Sequence, residues 1–510
     1  MTLGSSTCLL LNRKRSVKSV SKYPSVGVSE AYERFECHMR MIDSIDNVTR
    51  ALLLPIVLLI CTAAGSSSPA WAKARRSIPL PRPSASQLAW QNASLGMFFH
   101  YDLQVAYPHK NITDLVKEAE KSPWLEPVKL DTDQWLAVAH SMGAKYAVYV
   151  AKHASGYLFF QSKAYPFGLR QSTWLAGRGD VVKMFIASCA KFGIKPGLYC
   201  TLSTNNYLQV QRGLVRKGHG GNVNAQIRYA HTCEQIEAEL WGNYGPLFYC
   251  WFDGGVLPVN RGGPNLVPLL KRLQPDMVCF QGPCGAPGGL TRWIGNERGI
   301  ARYPCWSTVA DNSKQFAGSA PFAGSGDANG TLWDPAEVDI SVLQGDHWFW
   351  RPHAVNKLLT LHHLVQIYYD SVGRGCNLIV NAPINEHGVV PATVARRLAQ
   401  FGAEIHRRFK HPIAETAGRG ATIELKLSRA QAINNVMIME NIRDGQRIRR
   451  YEVDGLRGGK WGVLCHGESI GHERLQQFQT TVVSAVKLVV LDSIGKPEVR
   501  RLAIFDIGTR

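Results

Sequence analysis

The sequence lacks an apolar run that would cross a bilayer comfortably. The longest, ALLLPIVLLICTAAG at 51–65, falls short of the roughly 20 residues a spanning helix needs. It is followed by small residues ending in PAWAKA, so it reads as a signal peptide, with no membrane span expected in the mature chain. Synthesis from Met39 or Met41 would make Arg50 the charged start of that peptide and residues 1–40 an extension of the gene. No nucleic-acid motif is present. Although the net charge is +19, no basic block exceeds RKR at 13–15, so the charge reads as a solvated surface and no nucleic-acid partner is expected. There is no HExxH, and His362 and His363, adjacent on a helical stretch, point apart, so no metal is expected. A P-loop and a dinucleotide fingerprint are also missing, which argues against a nucleotide cofactor.

What is present suits a secreted globular protein. At 510 residues and 45% hydrophobic content, the chain can build one large domain and a smaller one. Of twelve cysteines, Cys8, Cys37 and Cys61 fall in the leader, and the other nine are scattered. That scatter suits buried thiols with one or two disulfides, whose connectivity spacing does not give. Sequons occur at Asn92, Asn111 and Asn329. The expected destination is extracellular, cell wall, vacuolar or lysosomal.

After a Ser/Pro-rich stretch, short apolar runs alternate with helical patterns. GMFF (96–99), YAVYVA (146–151), IKPGLYCTL (194–202), LFYCWFDGG (247–255), MVCFQG (277–282) and NLIVNAP (377–383) read as strands apolar on both faces. Helices are expected over 179–193, 224–245, 354–371 and about 391–408, with a long Gly/Ala/Pro-rich stretch before the third. This is the pattern of a (β/α)8-type TIM barrel, an α/β fold. From about 412 the texture becomes alternating strands separated by Gly, Asn and Asp turns, which predicts a β-sandwich. The expected organisation is a leader over 1–74, a linker over 75–90, a barrel over 91–410 and a sandwich over 411–510.

In a parallel barrel, the residues just past the strand C-termini converge on one mouth. That rule selects His100, His153, Tyr199 and Asp253. Asp253 follows the apolar run YCWF and precedes two glycines, so it either caps a loop or is there to react. A retaining glycosidase needs a second carboxyl from another loop. Glu297, in GLTRWIGNERG beside Arg292 and Trp293, is a candidate, although spacing alone leaves it equally a surface glutamate.

Four strings, AKHASGYLFFQSKAYPFGLRQSTWLAGRGDVVKMFIASCAKFGIKPGLY, WFDGG, RWIGNERG and GCNLIVNAPINEHGVVP, resemble in order the α-L-fucosidases of glycoside hydrolase family 29. The resemblance spans about 95–405. It implies retaining hydrolysis of terminal α-L-fucose from a fucosylated glycan, with Asp253 as nucleophile and Glu297 as acid/base. It also implies the branch preferring α-1,3/1,4 linkages. By the same resemblance His100, His153, Tyr199 and Trp251 line the fucose pocket and Arg292 supports the acid/base loop in binding substrate. Two departures are visible: members often carry consecutive histidines where this chain has His153-Ala154, and the acidic-Trp pair that members often place a few dozen residues after the first histidine has no match in YDLQVAYPHKNITDLVKEAEKSPWLEP. The rival readings are action on α-1,2-fucosylated xyloglucan or another deoxy sugar, and a carbohydrate-binding pseudoenzyme.

Overall fold

The computed structural model describes residues 79–107, 110–311 apart from 122–128 and 217–221, 324–345, and 347–508. The expected leader over 1–74 lies outside the described residues. No helix among the described residues is long and apolar enough to cross a membrane.

Eight parallel strands close a barrel in simple sequence order. They are β1 (Leu95–His100), β2 (Tyr146–Lys152), β3 (Lys195–Cys200), β4 (Tyr249–Trp251), β5 (Val278–Phe280), β6 (Leu290–Trp293), β7 (Ala336–Ser341) and β8 (Asn377–Pro383). β8 returns to pair with β1 in register from Leu95↔Leu378 to His100↔Pro383. The period-2 alternation of strand side chains sorts residues between the barrel axis and the surrounding layer. Phe98, Val148, Tyr199, Tyr249, Trp251, Phe280 and Ile379 form the inner cluster, while Met97, Phe99, Tyr149, Leu198 and Cys250 join the outer core. Gly96 lies at an inner position, where a Cβ would stand 2.4 Å from the Tyr146 ring, so only glycine lets that tyrosine cross the barrel.

The helices expected from periodicity are found with small shifts. α1 (Ala85–Ala93) starts inside the stretch read as a linker, with Ser84 and Gln87 forming a capping box. It drives Trp90, fully buried, into the inner cluster. α2 (Thr132–Met142), α3 (Val181–Phe192), α4 (Val223–Gly242) and α5 (Val267–Leu273) follow. In α3, Asp180 caps the start through the Lys183 N–H, and Gly193 ends the helix in the left-handed region. The helix expected over 354–371 is split: a 3-10 turn spans Ala354–Lys357, and α6 (Leu361–Asp370) starts afresh behind the Thr360 cap. The extended Leu358 separates the two. α7 (Ala392–Phe409) completes the layer.

Two strands were hidden in the Gly/Ala/Pro-rich stretch, namely β6 and β7. Their connections also depart from the regular pattern, because among the described residues no helix follows β5 or β6. The segment after β6 descends beside α6, with Ala301 N–H donating to Asp370 O at 2.9 Å.

The C-terminal domain is a six-stranded antiparallel sheet built from β9 (Ala414–Arg419), β10 (Thr422–Glu440), β11 (Ile448–Arg457), β12 (Lys460–Gly467), β13 (Arg474–Ser493) and β14 (Glu498–Phe505). The long strands β10 and β13 shift register between Lys426 and Gln431 and again near Asn435. They run through both halves of the domain. Residues of both halves, Leu425 and Val486 on one side and Ile438 and Leu502 on the other, share one apolar core. The domain is fixed to the barrel by Phe505, whose ring meets Phe409 at 5.5 Å, and by Arg500 donating to Asn92 Oδ1 at 3.2 Å.

Candidate active site

A cavity of about 610 Å³ opens at the C-terminal ends of the barrel strands. His100, His153, Tyr199, Trp251, Asp253 and Glu297 all line it, so strand-end reasoning and resemblance together selected residues that share one wall.

Asp253 stands where β4 gives way to a turn. Trp251 and Phe252 are buried, whereas the Asp253 side chain is released into the cavity. Thr201 and Ser203 hydroxyls donate to its main-chain oxygen at 2.9 and 2.8 Å, and the Tyr199 hydroxyl donates to its Oδ2 at 2.9 Å. Gly254 and Gly255 take φ of +72° and +73°, and a Cβ on Gly254 would meet Ser203 Oγ at 2.6 Å. The two glycines therefore let the chain turn away sharply and leave the carboxylate facing open space. Loss of bulk water raises the Asp253 carboxyl above the usual aspartate value, and the Tyr199 hydrogen bond partly opposes this.

Glu297 sits half-buried on the loop after β6, where Trp348 Nε1 donates to its Oε2 at 3.0 Å. The Asn296 side chain holds the loop in shape: its Oδ1 accepts from the Arg298 N–H at 3.1 Å and its Nδ2 donates to Ile300 O at 2.8 Å. Gly299, at φ +82°, passes so close to Ile367 that a Cβ would come within 2.7 Å.

The two histidines are neutral. Burial draws His100 down to about 4, and it draws His153 down to about 3 with the help of His100 and Lys152. Asn381 Nδ2 donates to Trp348 O at 2.8 Å, which turns its Oδ1 toward His100 Nδ1 at 2.8 Å. Nδ1 must then carry the proton, leaving Nε2 as an acceptor for a substrate hydroxyl. His153 lies the other way round, because Gln104 Nε2 donates to its Nδ1 at 3.3 Å, so its Nε2 carries the proton. Phe349 wedges against both rings at 5.3 and 4.9 Å.

Trp251 is held by a buried carboxylate below the cavity. Its Nε1 donates to Glu337 at 2.7 Å, as do Tyr146 at 2.5 Å and Tyr249 at 2.9 Å. Its ring stacks on Phe280 at 3.7 Å. Burial pushes Glu337 up to about 7, against the pull of these three donors.

Arg292 is a correction. The alternation along β6 puts Thr291 and Trp293 toward the axis and Arg292 outward, so Arg292 is not among the residues lining the cavity. Its guanidinium donates to the main-chain oxygens of Asp334 and, at 2.7 Å, of Trp306. It braces loops and is not placed to touch substrate.

The cavity also contains residues that the sequence reading passed over. Asp339 is buried and accepts from Trp293 Nε1 at 2.6 Å; burial, with Glu297 and Glu337 nearby, raises its carboxyl well above the usual value. The polar alternation Glu337, Asp339, Ser341 in AEVDIS was its signal. Gln281 follows MVCF and was available to the same strand-end rule that found Asp253. Trp348 belongs to the run WFW in a loop with no period, and Arg212 to a small hairpin, so neither carried a signal.

A family model described as "Alpha-L-fucosidase" matches residues 107–262. Alpha-L-fucosidase 1 of Arabidopsis thaliana is 27% identical over 84% of this chain and 88% of its own length. The putative alpha-L-fucosidase 1 of Oryza sativa is also 27% identical, over 84% and 85%. Among solved structures, a putative alpha-L-fucosidase from Bacteroides thetaiotaomicron superposes with a TM-score of 0.77 at 34% identity, covering 84% of this chain and 100% of the bacterial one. With a likeness of that degree running the whole length of the bacterial protein, the chain belongs to the α-L-fucosidases of glycoside hydrolase family 29 and is a glycosyl hydrolase.

Proposed function

We propose that the enzyme removes terminal α-L-fucose by two displacements with net retention. The observation carrying this reading is that two carboxyl groups from different loops, Asp253 and Glu297, face one cavity, with Tyr199 donating to the first and Trp348 to the second. Asp253 attacks the anomeric carbon while Glu297 gives its proton to the departing glycosidic oxygen. Glu297, now a carboxylate, then takes a proton from water as that water releases fucose from Asp253. His100 Nε2 accepts and His153 Nε2 donates, a complementary pair for sugar hydroxyls, and the Trp251 face suits the apolar side of a 6-deoxy sugar.

The assigned substrates are α-1,3/1,4-fucosylated glycans. The enzyme is assigned to a secretory route, with the exposed Asn92, Asn111 and Asn329 as glycosylation sites. Azide decides the roles. Asp253→Ala should lose several orders of magnitude in turnover and, with azide, yield the inverted β-fucosyl azide. Glu297→Ala with azide should yield the α-product. Near-normal rates in Asp253→Ala would overturn the assignment. Faster release of fucose from α-1,2-fucosylated xyloglucan than from Lewis-type oligosaccharides would overturn the linkage preference.

A further inference from the structure

Cys305 and Cys376 are 71 residues apart in the chain, yet their sulfurs lie 3.5 Å apart. Both are buried. Cys305 belongs to the strap that descends outside the barrel after Glu297, in the place where a helix after β6 would lie. Cys376 immediately precedes β8.

The two backbones are fixed independently of any bond between the sulfurs. Ala301 N–H donates to Asp370 O at 2.9 Å, and Arg374 bridges Ala301 O and the Asp370 carboxylate. From the C-terminal domain, Ser469 accepts the Cys305 N–H at 3.1 Å and the Tyr303 hydroxyl at 3.0 Å. A bonded distance of about 2.05 Å is about 1.5 Å shorter than the 3.5 Å between the sulfurs. Arg292 Nη2 lies 3.9 Å from Cys305 Sγ. A hydrogen bond from Cys376, aided by Arg292 and Arg374, pulls the Cys305 thiol down, which favours its thiolate. All nine described cysteines are thiols in this structure, and this is the pair whose sulfurs touch.

We propose that Cys305 and Cys376 close a disulfide that fastens the strap behind Glu297 to the foot of β8. The bond itself is independent of the mechanism above, whereas its service to Glu297 rests on Glu297 being the acid/base. In its formation the Cys305 thiolate attacks an external disulfide such as oxidised glutathione and expels one thiolate. Cys376 loses its proton to solvent, attacks the Cys305 sulfur and expels the second. Two protein thiols are oxidised and one external disulfide is reduced to two thiols.

The test uses the full chain equilibrated with excess oxidised glutathione, alkylated, digested without reductant and mapped by mass spectrometry. The expected result is one peptide pair joining Cys305 to Cys376 that separates on reduction. Full alkylation of both cysteines, or a bond from either to another cysteine, would overturn the proposal. As a second measurement, reductant should lower the Tm of the wild type and leave that of Cys376→Ser unmoved; equal falls in both would also overturn it. For the service to Glu297, reduction should lower kcat on a fucosylated oligosaccharide about 3-fold or more, with dinitrophenyl fucoside little affected. Equal losses on both substrates would sink that part, while near-normal activity of Glu297→Ala would instead sink the underlying mechanism.

Discussion

The indole N–H of Trp348 points at Glu297 Oε2 from 3.0 Å, and the Trp348 main-chain oxygen is held in turn by Asn381, which also orients His100. One tryptophan therefore couples the position of the acid/base candidate to that of a sugar-binding histidine. Its ring contributes too, lying 5.1 Å from that of His100.

Trp348→Phe keeps the ring and deletes the donor. A hydrogen bond to a charged group is worth about 1.5–3 kcal/mol, so kcat on an oligosaccharide fucoside should fall roughly 10- to 100-fold. A dinitrophenyl fucoside, whose leaving group needs no proton, should lose far less. Comparing the two substrates checks this, and equal losses would show that Trp348 does not act through Glu297.

Tyr199→Phe probes the other carboxyl. The raised Asp253 carboxyl means that activity requiring the carboxylate is lost, as pH falls, at a higher pH than for an ordinary aspartate. Tyr199 donates to the charged form and therefore lowers that value. Its removal should move the acid limb of kcat/KM to higher pH with the alkaline limb in place. A pH–rate profile reads this directly, and an unmoved acid limb would mean that Asp253 does not set it.

Asn381→Ala tests the histidine tautomer. Without the amide oxygen, His100 Nδ1 has lost the acceptor that fixed its proton. Discrimination for fucose should suffer through KM, with kcat/KM falling about 10-fold or more, and because Asn381 is fully buried and also donates to Trp348 O, Tm should fall as well. A KM like that of the wild type would refute the assigned tautomer.

The strand-end positions were legible because a parallel barrel gives a local pattern a global meaning. An apolar run followed by His or Asp is visible in one line of sequence, as in GMFFH and YCWFD. Resemblance then supplied Glu297 and Trp251, which pattern alone left open. Resemblance also supplied Arg292, but its neighbour Trp293 is the one that lines the cavity, because a single step along a strand reverses the facing. β6 and β7 were missed because one has four residues and the other carries two acids inward, so neither shows a continuous apolar run. Trp348 reaches Glu297 across 51 residues of chain, a contact that no local pattern encodes.

For Arg292 the corrected placement predicts a loss of stability in place of a loss of substrate affinity. Arg292→Met would strip buried main-chain oxygens of Asp334 and Trp306 of their donor, at a cost of roughly 2–4 kcal/mol. Thermal unfolding should fall by several degrees. The KM of the folded fraction for an aryl fucoside should stay within about 2-fold of the wild type, since no cavity contact is removed. A large rise in KM with an unchanged Tm would restore the binding role.

Glu337 gives a stability prediction with a definite sign. Its carboxyl is held at about 7 in the folded protein against 4.5 as its ordinary value, because burial outweighs three hydrogen bonds. Between those two pH values the folded chain holds a proton that the unfolded chain has released, so this group makes folding less favourable as pH rises through the window. The full effect, on the order of 3 kcal/mol, is reached above pH 7. Glu337→Gln removes the titration while preserving the contacts: its oxygen still accepts from Trp251 and Tyr249, and its amide can donate to Tyr146, whose hydroxyl turns round. Between pH 4.5 and 7 the wild type should therefore lose Tm relative to the variant, with the gap constant above pH 7. If the two Tm curves run parallel throughout, Glu337 is not titrating in this window. Because Glu337 positions Trp251 beneath the cavity, parallel curves with an altered KM would leave it a purely geometric support.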